Sequence, residues 1–159
     1  NMNKDTQARL LKVANEVAIK AVEEGYHPFG AILVAPDQDT VLVRQGNVNT
    51  VQHAEAELAR RAYLEYDPDY LWGCSLVTTF EPCAMCSGTI YWANIGTDLY
   101  GASETELLEL TGAEPENPTM NLPCRAVFAS GQKDIKVYGP VPSLKEALVA
   151  LHKEFWNRQ

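Results

Sequence analysis

The chain has 159 residues, of which 46% are hydrophobic, and a formal net charge of −8 at pH 7. This length fits one domain with a substantial core, which we expect to span residues 1–159. There is no apolar run long enough to cross a bilayer and no signal-peptide pattern in the polar first residues, so we expect a cytoplasmic protein that does not bind membranes, and the acidic balance argues against nucleic acid as a partner.

The first half of the chain is predicted to contain two helices around a β-hairpin. Apolar residues from Leu10 to Ala21 recur at helical spacing, and Asp5 or Thr6 can cap the start of that helix. Residues 36–39 separate two β-rich runs, which is typical of a hairpin turn. The predicted elements are a helix over residues 7–24, strands over 31–35 and 40–44, a loop over 46–52, and a helix over 53–66 that the following Asp-Pro-Asp ends.

The second half is predicted to alternate strands and helices. Pro82 is expected to open a helix, where its missing N–H costs nothing. Ser103 with Glu106 and Ser143 with Glu146 both have the spacing of a capping box. The predicted elements are a strand over residues 75–80, a helix over 82–94, a strand over 98–102, a helix over 103–112, a loop over 113–123, a short helix over 124–130, a strand over 135–138, and a helix from 143 to near the C-terminus.

This order of elements predicts an α/β fold with three layers. We expect a mixed five-stranded sheet with helices on both faces, in an α/β/α arrangement. Repeats, low-complexity tracts and linkers are absent from the sequence.

The most informative pattern is His-Ala-Glu at residues 53–55 followed by Pro-Cys-Ala-Met-Cys at residues 82–86. Cys83 and Cys86 are three residues apart, so they share a face in the first turn of a helix, where free N–H groups and the helix dipole favour thiolates. One imidazole and two thiolates leave a fourth position on zinc for water, which is typical of a catalytic ion. The pattern therefore predicts one Zn²⁺ bound by His53, Cys83 and Cys86.

Glu55 is the predicted catalytic residue. Two thiolates neutralise the formal charge of Zn²⁺, so water at this ion is acidified less than it is by three imidazoles. A nearby base is then needed, and Glu55 lies two residues after His53. It can take the proton of the water and deliver it to a ring nitrogen and then to the leaving amine, which is hydrolytic deamination of an amidine-like ring carbon.

Simpler interpretations of the same residues stay open. A C-x-x-C alone can be a redox pair, half of a structural zinc site, or two buried thiols, although the thioredoxin-like setting of a redox pair is missing. The conjunction of both segments at helix starts favours catalytic zinc. Cys74 and Cys124 stand apart from this pattern, and we expect them to be buried thiols rather than a disulfide.

These motifs resemble the cytidine-deaminase-like superfamily of zinc-dependent deaminases. The resemblance extends from Pro-Phe-Gly-Ala at residues 28–31 to Tyr-Trp-Ala at residues 91–93. Within the superfamily, residues 81–86 and 90–93 are most similar to bacterial guanine deaminases, although the loop before His53 is shorter. The resemblance implies a cytidine deaminase-like fold, a zinc cofactor, and a homodimer or larger assembly with sites near its interfaces.

The resemblance also implies residues that bind the substrate. An Asn shortly before the His-Ala-Glu reaches the base in that family, which points to Asn47, with Asn49 as the alternative. An amide can both donate and accept at the edge of a nucleobase. Ala54, inside the same motif, is included among the candidate substrate-binding residues.

Three aromatic residues are further candidates for binding the substrate. Phe29 is expected to line the pocket or to belong to the core. Trp92 is expected to wall the site or to form a subunit contact. Trp156 is expected to fold over the base, as a C-terminal aromatic does in some relatives, or to anchor the last helix in the core. His27 has no partner that the sequence identifies.

Three functions remain open at this point. The first is a hydrolytic deaminase of a free nucleobase or nucleoside, guanine-type first and cytosine-type close behind. The second is a tRNA-specific adenosine deaminase, which has nearly the same zinc motifs but must grip a phosphate backbone, while residues 103–120 contain five Glu and no Lys or Arg. The third is a non-catalytic, zinc-stabilised interaction domain, for which the sequence offers no positive sign.

Overall fold

A computed structural model describes residues 1–157 of the chain. No helix in this range has the combination of length and apolar character that crossing a membrane takes. The helices are α1 (Lys4–Glu23), α2 (Ala54–Glu65), α3 (Pro68–Trp72), α4 (Ala84–Ala93), α5 (Glu104–Thr111), α6 (Cys124–Ala129) and α7 (Pro142–Asn157), and the strands are β1 (Gly30–Val34), β2 (Val41–Gly46), β3 (Ser75–Phe80), β4 (Thr97–Ala102) and β5 (Lys136–Tyr138).

The strands form the predicted mixed sheet, in the order β2-β1-β3-β4-β5. β1 pairs antiparallel with β2 across the predicted hairpin and antiparallel with β3, whereas β3, β4 and β5 are mutually parallel. Phe80 lies opposite Ala102 at the ends of β3 and β4. The residues that follow these two strands therefore meet at one edge of the sheet, and this edge carries the site described below.

Helices cover both faces of the sheet, which confirms the three-layer prediction. One face packs against α1 and α7, around a core that includes Leu10, Val77 and Leu148. The other face packs against α2, with α4 and α6 beside it, around Leu58 and Ile90. Full burial of one such aliphatic side chain contributes about 1.5–3 kcal/mol, so each face has its own substantial stabilising core. The two isolated cysteines are free and buried, as predicted.

Two of the predicted helix caps are wrong and one is confirmed. Asn3, rather than Asp5 or Thr6, caps α1, since its Oδ1 accepts the Thr6 N–H at 2.8 Å. Ser103 and Glu106 form the predicted capping box at α5. The second predicted box does not form, because α7 begins one residue earlier, at a proline, and Ser143 therefore lies inside the helix.

The helices around residues 68–84 also differ from prediction. Pro68 ends the run of α2 but also begins the short helix α3, since proline is favoured in a first turn as well as excluded from a helix interior. Pro82 precedes α4 instead of opening it. Cys83 has an extended backbone and is the N-cap of α4, which begins at Ala84. This shift places the Cys83 side chain at the helix N-terminus.

Candidate active site

Two helix N-termini bring the predicted metal ligands together. His53 is the N-cap of α2 and Cys83 is the N-cap of α4, while Cys86 lies buried in the first turn of α4. The ligand atoms of these three residues all lie within 4.8 Å of one another. The Nδ1 atom of His53 is 3.6 Å from the Cys83 sulfur and 3.7 Å from the Cys86 sulfur. The cluster can therefore hold one metal ion.

The spacing of the donors fits zinc. Bonds of about 2.0–2.1 Å from zinc to nitrogen and about 2.3 Å from zinc to sulfur place tetrahedral ligands of the two kinds about 3.6 Å apart. The distances from His53 to both sulfurs match this value. One imidazole and two thiolates are also a donor set that zinc prefers. The residues present thus fit a three-ligand zinc site.

Hydrogen bonds around the cluster orient His53 and favour the thiolate form of Cys83. The Nε2 of His53 is 2.7 Å from the carbonyl oxygen of Thr50, so an N–H there can donate to it and leave Nδ1 to face the sulfurs. Hydrogen bonding from Cys86, together with that from His53, lowers the pKa of Cys83 to about 4 against the opposing effect of burial. The hydrogen bond with Cys83 raises the pKa of His53 to about 9. Because metal ligands must be deprotonated, metal binding at this cluster is coupled to proton release.

Glu55 lies beside the metal ligands in the first turn of α2. Its side chain is buried, and this burial raises the pKa of Glu55 to about 7, with smaller and opposing effects from His53 and Cys83. It is not one of the three clustered ligands. A carboxyl with a pKa near neutrality, next to a metal site, is suited to taking and returning a proton.

The cluster opens into a cavity of about 240 Å³. The walls combine aromatic, amide and carboxyl side chains, and the part of the chain that the structure describes contributes no Lys or Arg to them. The lining residues include Phe29, Asn47, His53, Glu55, Phe80, Cys83, Glu104 and Glu116. A flat polar ring without a phosphate suits such a cavity.

The structure separates the two asparagine candidates. Asn47 is 4% exposed and lines the cavity, whereas Asn49 is exposed and does not. The Nδ2 of Asn47 donates to the carbonyl oxygen of Asn49 at 3.1 Å, so the Oδ1 of Asn47 is left as an acceptor. The Asn49 side chain is engaged within its own loop, where it accepts the N–H groups of Val51 and Gln52.

Of the next three candidates, one lines the cavity and two lie outside it. Phe29 lines it and contacts Phe80 and His152 edge to face. Ala54, the first residue of α2, is buried in the core and does not line the cavity. Trp92 is 77% exposed on α4, outside the cavity, so of its two predicted roles only a subunit contact suits this position.

Trp156 is packed within its own chain. It is 8% exposed, and its Nε1 donates to Nδ1 of His152 at 3.2 Å. The ring of His27 packs against it, and the Nε2 of His27 is 3.2 Å from Oε1 of Glu116. His27 therefore has partners that the sequence did not identify. The packing of Trp156 matches the predicted core anchor rather than a cover over a base.

Sequence reasoning missed two buried carboxyl groups at this edge of the sheet. Glu81 follows β3, and its two oxygens accept the N–H groups of Glu104 at 2.9 Å and Cys124 at 2.8 Å. One carboxylate thereby holds the N-termini of α5 and α6. Glu104 in turn accepts the N–H of Leu122 through Oε1 at 3.0 Å. The only sequence signal was the position of each Glu beside a motif, directly before Pro82 and directly after Ser103.

Replacing Glu81 with Gln is expected to destabilise the protein. An amide provides one acceptor in place of two, and its NH₂ group then faces a backbone N–H. The loss of a buried, charge-assisted hydrogen bond costs about 1.5–3 kcal/mol, which lowers the melting temperature by about 3–12 °C in a domain of this size. Thermal unfolding of the zinc-loaded protein measures this change. Glu109→Gln, an exposed position on α5, is the control, and equal melting temperatures for both variants would refute the role of Glu81.

The chain matches a known protein family over most of its length. Residues 4–102 match the cytidine and deoxycytidylate deaminase zinc-binding region. The chain is 34% identical over 151 residues to a probable cytosine deaminase of Schizosaccharomyces pombe, covering 92% of this chain and 90% of that protein. It is 37% identical over 113 residues to the guanine deaminase of Bacillus subtilis, covering 68% and 70%. Shorter matches include a tRNA-specific adenosine deaminase of Aquifex aeolicus, at 33% over 96 residues, covering 58% and 63%.

A solved structure shares the fold. The guanine deaminase of Nitrosomonas europaea superimposes with a TM-score of 0.72 over 92% of this chain and 82% of that one, at 21% identity. At this identity the likeness confirms the cytidine deaminase-like fold and nothing finer. The matched region and the full-length relative together establish the family. The chain therefore belongs to the cytidine and deoxycytidylate deaminase family and is a deaminase that carries the zinc-binding region of that family.

Proposed function

We propose that this deaminase is zinc-dependent, that it hydrolyses an amino group of a free nucleobase or nucleoside, and that guanine is the first candidate substrate and cytosine the second. The observation that carries the proposal is the cluster of His53, Cys83 and Cys86 next to Glu55, at a cavity that no Lys or Arg of the described chain lines. Relatives named as guanine and cytosine deaminases support the same class of substrate.

The metal ligands, Glu55, Phe29 and Asn47 each have a defined part in the proposed reaction. Zinc held by His53, Cys83 and Cys86 would supply a Lewis acid that makes water a nucleophile near neutral pH. Glu55 accepts a proton from the attacking water and passes it to a ring nitrogen. It then takes the proton of the newly added hydroxyl group and gives it to the departing amine, which leaves as ammonia while the carbonyl forms. Phe29 provides an apolar face for the ring, and Oδ1 of Asn47 accepts an N–H at its edge.

The charge of the cavity argues for substrates without phosphate. Glu55, Glu81, Glu104 and Glu116 all contribute to its wall, and the described residues place no Lys or Arg there to pair with a phosphate. Nucleic-acid binding requires a basic surface, whereas this chain has a net charge of −8. These features favour a base or nucleoside over the alternative of a tRNA-specific adenosine deaminase.

Different observations support the two candidate bases. A carboxylate-lined wall suits guanine, because guanine has adjacent N–H donors at N1 and at its amino group. Cytosine is supported by the relative that covers 92% of this chain, which is named a probable cytosine deaminase. The order of preference therefore rests on the cavity for guanine and on the sequence relationship for cytosine.

Ammonia release from a panel of substrates tests the proposal. The panel contains guanine, cytosine, adenine, their nucleosides and an unmodified tRNA, each incubated with the zinc-loaded protein. We expect release from a free base or nucleoside and little or none from tRNA. Efficient adenosine-to-inosine conversion in tRNA, with binding that weakens steeply as salt rises, would overturn the proposal in favour of the tRNA alternative.

Asn47→Ala is expected to reduce kcat/KM for the best substrate by about 10- to 100-fold. Removal of a buried acceptor leaves the N–H of the substrate unpaired, which costs about 1–3 kcal/mol. Steady-state kinetics measures the change, and zinc content should stay constant. Asn49→Ala is the matched control, because that side chain lies outside the cavity. A larger loss in the Asn49 variant than in the Asn47 variant would reverse the assignment.

A further inference from the structure

Glu104 is a buried acid that the proposed reaction does not use. It is the first residue of α5, directly after the N-cap Ser103, yet its side chain is 3% exposed and lines the cavity. Glutamate is rarely buried to this extent without a cation beside it. None of the ion pairs among residues 1–157 includes Glu104.

Hydrogen bonds hold both the backbone and the side chain of Glu104. Its backbone N–H donates to Oε1 of Glu81, and its own Oε1 accepts the N–H of Leu122 at 3.0 Å. Its second oxygen, Oε2, has no protein partner within the described chain. A carboxyl group that is largely removed from water is stabilised by a hydrogen-bond donor, and a ligand in the cavity can supply one to Oε2. The position of Glu104 in the cavity wall makes the substrate the natural source of that donor.

Glu116 is the other acid to consider in this wall, and its situation differs. Its side chain is more than half exposed, and its Oε1 lies 3.2 Å from Nε2 of His27. Its carboxyl group thus has both water and an imidazole as partners. Glu104 is 3% exposed and forms no ion pair within the described residues, so its free oxygen is much less hydrated than the carboxyl group of Glu116.

We infer that Glu104 is a specificity-determining residue, whose Oε2 accepts a hydrogen bond from an N–H group of the bound heterocycle other than the amino group that is hydrolysed. The inference rests on the proposed function and deepens it. Oδ1 of Asn47 is a second acceptor in the same cavity. Two acceptors select a ring with at least two ring or amino N–H donors, and they disfavour a ring that presents only acceptor nitrogens.

Glu104→Gln is the sharpest variant for a test. The amide keeps one oxygen for the Leu122 N–H and presents an NH₂ donor where Oε2 was, so an attraction to the substrate becomes a repulsion while the shape is retained. We expect kcat/KM for the best base to fall by about 10- to 100-fold. Most of that change should appear as a higher KM, and the zinc content should stay the same. Glu109→Gln, on the exposed side of α5, should change neither parameter.

Analogues of the substrate separate a direct contact from a general disturbance. The best base is compared with its N-methyl analogues, each lacking one ring N–H, in both the wild type and Glu104→Gln. The wild type should discriminate against one analogue at least tenfold. Glu104→Gln should lose little activity when the parent base is replaced by that analogue. The change in the enzyme and the change in the substrate remove the same hydrogen bond, so their effects on kcat/KM are not additive. Equal losses on the parent base and on every analogue would overturn the inference.

Two outcomes distinguish the inference from the function on which it rests. If the wild type releases ammonia from no base or nucleoside, the proposed function fails. If it releases ammonia but accepts every N-methyl analogue as well as the parent base, only the inference about Glu104 fails. This second comparison needs the wild type alone, so it can refute the inference even if Glu104→Gln does not fold.

Discussion

Replacing Glu55 with Gln is expected to lower turnover of the best nucleobase by about 10²- to 10⁴-fold. The amide has nearly the same shape as the carboxyl group but cannot accept the proton of water or carry it to the leaving amine. Since Glu55 is not one of the clustered ligands, the variant should keep one zinc per chain and a melting temperature close to that of the wild type. Ammonia release, metal analysis and thermal unfolding measure the three properties.

A neighbouring glutamate provides the control for this experiment. Glu57 lies in the same first turn of α2 but pairs with Arg60 at the surface. Glu57→Gln should leave turnover within about twofold of the wild type, since surface ion pairs of this kind contribute little. Turnover of Glu55→Gln within tenfold of the wild type would remove Glu55 from the mechanism and leave proton transfer to another group of the cavity.

Replacing Cys86 with Ala is expected to abolish both zinc binding and turnover. The change deletes one of three ligands, and the remaining imidazole and thiolate do not make a stable site for a divalent ion. Zinc binding that requires the folded site also stabilises the fold, so the melting temperature of the variant should fall and should no longer respond to added zinc. Metal analysis after dialysis and thermal unfolding with and without zinc measure these effects.

The chain contains a matched control for the loss of a buried thiol. Cys74 is as fully buried as Cys86, but its sulfur lies near the carbonyl oxygen of Tyr70 and outside the metal cluster. Cys74→Ala should lose some stability through the cavity that it creates, while it keeps zinc and turnover. Retention of a full zinc equivalent by Cys86→Ala would contradict the ligand assignment.

Much of the fold follows from local patterns. The hairpin of β1 and β2, the strands of the sheet and the capping box at Ser103 all depend on residues a few positions apart, and the structure confirms them. Most of the errors occur where proline has two roles. Pro142 begins α7 and thereby moves Ser143 inside the helix, and Pro68 both ends α2 and starts α3. Local pattern alone does not decide which role proline takes.

The predictions for the site also divide into those that follow from local pattern and those that depend on distant contacts. His53, Glu55, Cys83 and Cys86 were predicted because metal chemistry restricts residue type and spacing, and the structure brings the three ligands together. Glu104 was not predicted, because its role depends on contacts with Glu81 and Leu122, which are 23 and 18 residues away. Such contacts arise only when the ends of β3 and β4 lie side by side.

The aromatic candidates show a further limit of sequence reasoning. Phe29 and Trp156 each had two predicted roles, in the pocket or in the core, and their amino-acid types suit both. The structure places Phe29 in the cavity wall, whereas it packs Trp156 against His27 and His152. Both roles shield an aromatic ring from water, so hydrophobicity alone does not distinguish the two outcomes.

The central claim is that zinc at His53, Cys83 and Cys86 makes this chain a deaminase of a nucleobase or nucleoside. Ammonia release from guanine, cytosine and their nucleosides tests it most directly, measured on protein stripped of metal by a chelator and on the same protein after one equivalent of zinc is restored. We predict negligible release before zinc is added and turnover of at least one of these compounds afterwards. Equal release from the stripped and the restored protein, or no release from any of these compounds with zinc bound, would contradict the claim.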